Sequence, residues 1–180
     1  MNKKIWKTLS SQIGFKGKFL NVRIDRVRRA DGSIGIYEMV DKPDFVMIIP
    51  KINSKFYLVE QFRYPVRSRS WEFPQGGCEG IGNIEECAKK ELEEELGFRT
   101  RNLSLLGNLW LAVGNSTQGC AIYFTEHLYK GIQNLEGYES DLVAKLFTEN
   151  QIVKMIRSGK IRSSMSVAAF SLYLLNKNKR

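Results

Sequence analysis

Three glutamates, Glu91, Glu94 and Glu95, stand at i, i+3 and i+4. At 100° per residue they share one face of a helix, with Ala88, Leu92 and Leu96 on an adjacent face that can be buried and Glu93 pointing away to solvent. Like charges at these spacings repel by roughly 0.2–0.5 kcal/mol per pair, so three of them beside an apolar face carry a local penalty. A bound divalent cation removes it, and hard Mg²⁺ prefers oxygen ligands of this kind. Upstream, Gly76 and Gly77 let backbone approach a ligand closely, and the loop they form delivers the chain to a helix whose carboxylate face can hold metal against a phosphate. Neither half is specific alone. A glutamate-rich solvated helix is the competing reading, and the glycine-rich approach shifts the balance toward metal-assisted phosphate chemistry.

Other chemistries find little support. The single histidine, His127, ends an apolar β-like run from Cys120 to Phe124 and reads as structural. Poly-histidine zinc sites are thereby excluded, and a Ser-His-Asp triad would rest on this one residue. The work falls to carboxylates, lysines and arginines. Cys78, Cys87 and Cys120 form no Cys-x-x-Cys pair and have no histidine at a metal-ligand spacing, so they are expected as reduced thiols packing like small apolar side chains. The formal net charge of +9 suits a nucleotide, RNA or an acidic membrane surface without choosing among them, and scattered lysines and arginines on a solvated surface explain it equally well. No apolar run approaches membrane-spanning length, and Met1-Asn2-Lys3-Lys4 is not followed by a continuous apolar core. A soluble, cytoplasmic protein without a membrane partner is the expectation.

These side chains need a scaffold, and 180 residues with 43% hydrophobic content suffice for one sizeable core, so a single domain over 1–180 is expected. Phe19 to Val27 alternates with period two, Ala30 to Ser33 is a turn, and Ile34 to Val40 is again strand-like. Phe45 to Ile49 is an apolar run ended by Pro50, and Phe56 to Phe62 follows a turn at Asn53-Ser54. Asn83 to Leu96 has helical periodicity and stops at Gly97, a residue suited to the left-handed conformation past a helix end. Strands are expected at Leu103 to Ala112, Gly119 to Glu126 and Leu142 to Phe147. Helices are expected at Glu149 to Arg157 and Ser164 to Leu175, before a basic tail, Asn176 to Arg180, that should fray. Strands around one central helix, with helices outside, make an α/β layered domain.

The stretch Gly76 to Phe98 resembles the Nudix box, Gly-x5-Glu-x7-Arg-Glu-U-x-Glu-Glu-x-Gly-U, where U is a bulky aliphatic or similar residue. Gly76, Glu91, Leu92, Glu94, Glu95, Gly97 and Phe98 fall on its positions in register; the first glutamate of the box is Gly82 here, and its arginine is Lys90. Phe45 to Pro50, Tyr57 to Pro65, Trp71-Glu72-Phe73-Pro74 and Ile156 to Ile161 are similar in order and spacing to the ADP-ribose pyrophosphatase branch, which includes nucleoside-diphosphate-sugar hydrolases. The resemblance implies a Nudix-type α/β/α sandwich with a mixed sheet over 43–180. It also implies an amino-terminal antiparallel β region over 1–42, containing Trp6 and Phe19, that helps build a homodimer.

The resemblance further implies Mg²⁺, with Mn²⁺ as the alternative, held by Glu91 and Glu95, by Glu94 directly or through water, and by the backbone carbonyl of Gln75. The activity implied is hydrolysis of the diphosphate of a nucleoside-diphosphate sugar such as ADP-ribose to a nucleoside monophosphate and a sugar phosphate. Glu94, Glu95, Glu139 and Lys90 are the catalytic candidates, Glu139 as a base by position only, with an ordinary loop glutamate as its rival reading. Arg63, with Gly76 and Gly77, is the substrate-binding candidate, since a guanidinium fork can donate two bonds to one phosphate; a plain surface arginine competes. Glu72 reads as either a buried structural acid or a ligand contact. An RNA-end or dinucleotide pyrophosphohydrolase, which would suit the positive charge, and a non-catalytic nucleotide-binding module of the same fold remain as alternatives.

Overall fold

The computed structural model describes residues 5–135 and 137–177. The charged start Met1 to Lys4, Glu136 and the last three residues of the basic tail lie outside the described residues. The chain divides into two compact units, one comprising Met1–Pro43 with Trp110–Gly119, the other Asp44–Leu109 with Cys120–Arg180.

The first unit is built on an antiparallel sheet of β1 (Lys7–Lys16), β2 (Asn21–Arg28) and β3 (Ile34–Asp41), in that order. Strand β1 was not anticipated from the residues. All ten of its residues are exposed, so it shows none of the in–out alternation by which a half-buried strand is read. Inside this unit Val27 and Asp25 are buried, and Asp25 accepts a 2.6 Å bond from the Ser11 hydroxyl.

The second unit is a mixed sheet in the order β12-β5-β4-β10-β9, with β6 added to β5 and β7 to β4. Its strands are β4 (Phe45–Ile52), β5 (Lys55–Arg63), β6 (Ser68–Glu72), β7 (Gln75–Gly77), β9 (Ser104–Trp110), β10 (Gly119–Thr125) and β12 (Val143–Thr148); two-residue strands β8 (Phe98–Arg99) and β11 (Tyr129–Lys130) pair separately. The helices are α1 (Ile84–Leu96), α2 (Glu149–Arg157) and α3 (Ser164–Asn176). Pro50 does not end β4 as expected: the strand runs on to Ile52, because Pro50 stands opposite Thr125, the last residue of β10, where its missing N–H disturbs only the end of the parallel ladder. The β4–β5 turn falls at Asn53-Ser54 as read, both residues taking positive φ in a two-residue hairpin connection.

Alternation along β4 divides the core into two layers. Val46 and Ile48 pack with Val59, Ala121 and Tyr123 against Cys87, Ala88, Leu92 and Leu96 of α1. Met47 and Ile49 face the other way, onto Ile152 and Met155 of α2 and Met165, Ala169 and Phe170 of α3. The result is the expected α/β/α sandwich within this unit. No helix among the described residues is long and apolar enough to cross a membrane.

Candidate active site

Helix α1 is fixed at both ends by its own sequence. The Asn83 side chain caps it, accepting from the backbone N–H of Glu85 at 2.9 Å and Glu86 at 3.4 Å, and those two acids lie in the first turn, where the helix dipole favours them. At the other end Gly97 takes the left-handed conformation, φ 68°, and donates to the Glu93 carbonyl. The loop beyond β11 then satisfies the last carbonyls, Asn134 N–H bonding Glu94 O at 3.0 Å and the Gln133 amide bonding Glu95 O at 2.7 Å. Both ends of the helix that carries the acids are thus hydrogen-bonded.

Burying Leu92, Leu96 and Ala88 against the sheet forces the neighbouring face inward too, and Glu91 is 7% and Glu95 0% exposed. Glu94, between them and solvent, takes a 2.6 Å bond from Lys90 one turn earlier. Glu93 does not point freely to solvent as expected. It is half-buried, paired with Arg99 at 2.7 Å and accepting from the Ile132 N–H at 3.2 Å, and these bonds hold its carboxylate below the usual range.

Gly76 and Gly77 are not in a free loop. They lie on β7, opposite Val46 and Phe45 of β4. A Cβ on Gly76 would fall on the Glu91 carboxylate, and one on Gly77 would fall on that of Glu79, so the missing side chains make room for the chain's own acids. Gly76, Gly77, Glu79, Ile81, Lys90, Glu91, Glu94 and Glu139 enclose a cavity of about 240 Å³. Glu139 arrives on the short 3-10 turn Gly137–Glu139.

Glu95 sits beneath this group with both carboxylate oxygens buried and without a hydrogen-bond partner at ordinary geometry. Burial, then the charges of Glu139 and Glu91, push its pKa well above the usual carboxylate value, outweighing the Gln75 backbone N–H and the Arg63 guanidinium, which pull it down. Such a group is costly unless it is neutralised by a proton or a cation. Among the described residues no three acidic, cysteine or histidine side chains already converge at metal-ligand distance, so a cation here would draw the carboxylates in.

Arg63 lies close enough to Glu95 and Glu139 to feel their charge. Its fork is engaged by Glu72, Nη2 at 2.7 Å and Nε at 3.3 Å, and the Gln75 side-chain amide donates to the same carboxylate at 2.6 Å. Burial works against the guanidinium's charge, but the Glu72 bonds and the neighbouring acids win, and its pKa is raised. Glu72 is thus a buried acid that orients Arg63 and Gln75, a role signalled in the sequence only by its place between Trp71 and Phe73 on a strand.

Cys78 and Cys87 are joined in a disulfide, contrary to the reduced thiols expected from the absence of any Cys-x-x-Cys pair. The turn from β7 into α1 brings their Cα atoms to 5.6 Å, within bridging range, a proximity that their separation of nine residues does not disclose. Cys120 is free and buried, and burial, with the Asp44 charge, pushes its thiol up to about 12.

Residues 6–40 match the model of a nucleoside diphosphate sugar hydrolase N-terminal domain, and residues 42–164 match that of the NUDIX domain. The chain is 27% identical over 166 residues to a methanol dehydrogenase activator of Bacillus methanolicus, covering 91% of this chain and 89% of the relative. It is 24% identical over 165 residues to an ADP-ribose pyrophosphatase of Bacillus subtilis (strain 168), with the same two coverages. To an ADP-ribose pyrophosphatase of Mycobacterium tuberculosis it is 26% identical over 166 residues, covering 91% of this chain and 80% of the relative. The fold resembles that of a crystal structure of an ADP compounds hydrolase, with a TM-score of 0.84, 21% identity and coverage of 97% and 95%.

Proposed function

The chain belongs to the Nudix family, as the spacing of its glutamates and glycines indicates, and on that premise we propose that it hydrolyses the diphosphate of a nucleoside-diphosphate sugar such as ADP-ribose. The observation that carries this reading is Glu95: a carboxylate with no exposure and no hydrogen-bond partner at ordinary geometry, close to the charges of Glu91 and Glu139, belongs to a site that a cation would complete. Glu91, Glu94, Glu95 and the backbone carbonyl of Gln75 would hold Mg²⁺, or Mn²⁺ in its place. When bound, the metal supplies charge neutralisation of the diphosphate and a lowered pKa for a coordinated water.

The chain's own groups do the rest. Glu139 takes the water proton, its place on the cavity that Glu91 and Glu94 also line supporting that role. Arg63 has two of its N–H groups turned to Glu72, and its other donors offer a rigid fork to a substrate phosphate, a use that Lys could not match. Lys90 braces Glu94 within the cation shell. Names of relatives that act on ADP-ribose support the substrate class.

The exposed apolar side chains of the amino-terminal unit, among them Ile13, Phe15, Ile36, Trp110 and Val113, support pairing of that unit with a second copy of the chain.

A panel of nucleoside-diphosphate sugars, dinucleotides and triphosphorylated RNA, each assayed with Mg²⁺ by the phosphate that a phosphatase then releases, tests the substrate class. Release from ADP-ribose or a related sugar is expected, absent in chelator. An inert sugar series with active RNA ends would assign the site to RNA processing.

A further inference from the structure

The geometry points to Glu79 as a further carboxylate of the cation site, held over the cavity by the Cys78–Cys87 bridge, so that cation affinity depends on the redox state of that bridge. This rests on the cation reading above. Glu79 shares the cavity wall with Glu91, Glu94 and Glu139, and its carboxylate occupies the space over Gly77 where a Cβ would stand. Among the described residues it has no hydrogen bond or ion pair of its own. A second observation points to a ligand beside these walls: wholly buried Glu95, its two oxygens without a hydrogen-bond partner at ordinary geometry, lies close enough to feel the charges of Glu91 and Glu139, which line that cavity. Among the described residues Lys90 is the one cationic side chain lining it, and it is engaged by Glu94. From the loop side Glu79 suits a water-bridged role, since Mg²⁺ keeps several of its waters.

What holds Glu79 in place is the residue before it. The connection from Cys78 to Gly82 is mostly exposed, contains two glycines and has one backbone bond inside it, Ile81 N–H to Cys78 O at 3.1 Å. Its start is tied covalently to Cys87, which is buried on α1 one turn ahead of Glu91. Reduction by a dithiol breaks the S–S bond with two electrons and two protons, giving two thiols while the dithiol closes to its own disulfide. The loop then loses its tie to the helix, and Glu79 its fixed place.

The test is Mn²⁺ affinity, read from the electron paramagnetic resonance signal of free Mn²⁺ and independent of turnover. The full chain is measured oxidised, and again after dithiothreitol treatment and anaerobic removal of reductant, with circular dichroism to follow folding. Glu79→Gln should weaken Mn²⁺ binding about tenfold, the scale of losses when supporting groups around a metal are removed. Reduction of the wild type, or Cys78→Ser without reductant, should weaken it to a similar extent, and reduction of Glu79→Gln should add nothing. Wild-type affinity in Glu79→Gln overturns the proposal, as does an equal loss on reduction with and without Glu79. A wild type that binds no Mn²⁺ removes the cation reading itself, together with this inference.

Discussion

Glu95 concentrates the residue-scale physics, because burial disfavours its charge and the cavity's other acids disfavour it further. Its folded pKa is raised, so the cation-free protein binds an extra proton relative to the unfolded chain at pH values above the ordinary 4.5. The stability this contributes is fully present below 4.5 and is lost as pH rises through the folded pKa. Thermal unfolding of cation-free wild type should therefore fall with rising pH across that window, while Glu95→Gln should not show this fall. At neutral pH Glu95→Gln, which cannot ionise, should be more stable than the cation-free wild type, and the gap should close below pH 4.5. The same substitution should lower turnover by roughly 10²-fold or more, since it removes electrostatic stabilisation where charge develops. Glu93→Gln, whose carboxylate serves Arg99 and the Ile132 N–H rather than the cavity, should keep near-wild-type turnover; an equal loss from both changes would contradict the division of the helix into faces. Lys90→Ala should reduce kcat more than it raises KM, as expected if the Lys90–Glu94 pair braces the cation shell and does not grip substrate.

At the scale of elements, β7 and α1 lie so close that the Glu91 carboxylate fills the space beside Gly76. Gly76→Ala places a methyl on that carboxylate and must displace it, so cation affinity should fall while the fold persists, measurable by Mn²⁺ titration alongside denaturant unfolding. Helix α1 was legible because its signals are local: Asn83 as cap, Gly97 as stop, and apolar residues at helical spacing. The hairpin turn at Asn53-Ser54 was legible for the same reason. What stayed hidden depends on distant partners. Pro50 continues β4 because of where β10 ends, Glu93 is drawn inward by Arg99 and Ile132, and Cys78 meets Cys87 only through the β7–α1 turn. The bridge gives a direct check, since the native protein should show no thiol reactive to iodoacetamide, Cys120 being buried with its thiol pushed up to about 12, and half-buried Cys78 should become reactive after dithiothreitol. Modification of Cys78 or Cys87 without reductant would contradict it.

For the whole molecule, the two units differ in what they display. The acids of the site and Arg63 all lie in the second unit, and the first displays apolar side chains that a lone chain would leave in water, with Ile13 51%, Phe15 58% and Trp110 77% exposed. Light scattering should return twice the mass of one chain, and Phe15→Asp should shift it toward the monomer; a wild-type monomer at micromolar concentration would remove the dimer from the account. The family and the sandwich were within reach of the sequence, since the box is a local pattern, whereas the pairing of Arg63 with Glu72 and the unsatisfied state of Glu95 arise only when β5, β6 and α1 are packed together. The central claim is that these carboxylates hold a cation against a diphosphate and cleave it, and ³¹P NMR of ADP-ribose incubated with the protein and Mg²⁺ tests it most directly. The paired diphosphate resonances should give way to two phosphomonoester resonances at a rate abolished by chelator and by Glu95→Gln. Diphosphate signals that persist unchanged, with protein bound to the nucleotide, would contradict the account and leave a binding module in its place.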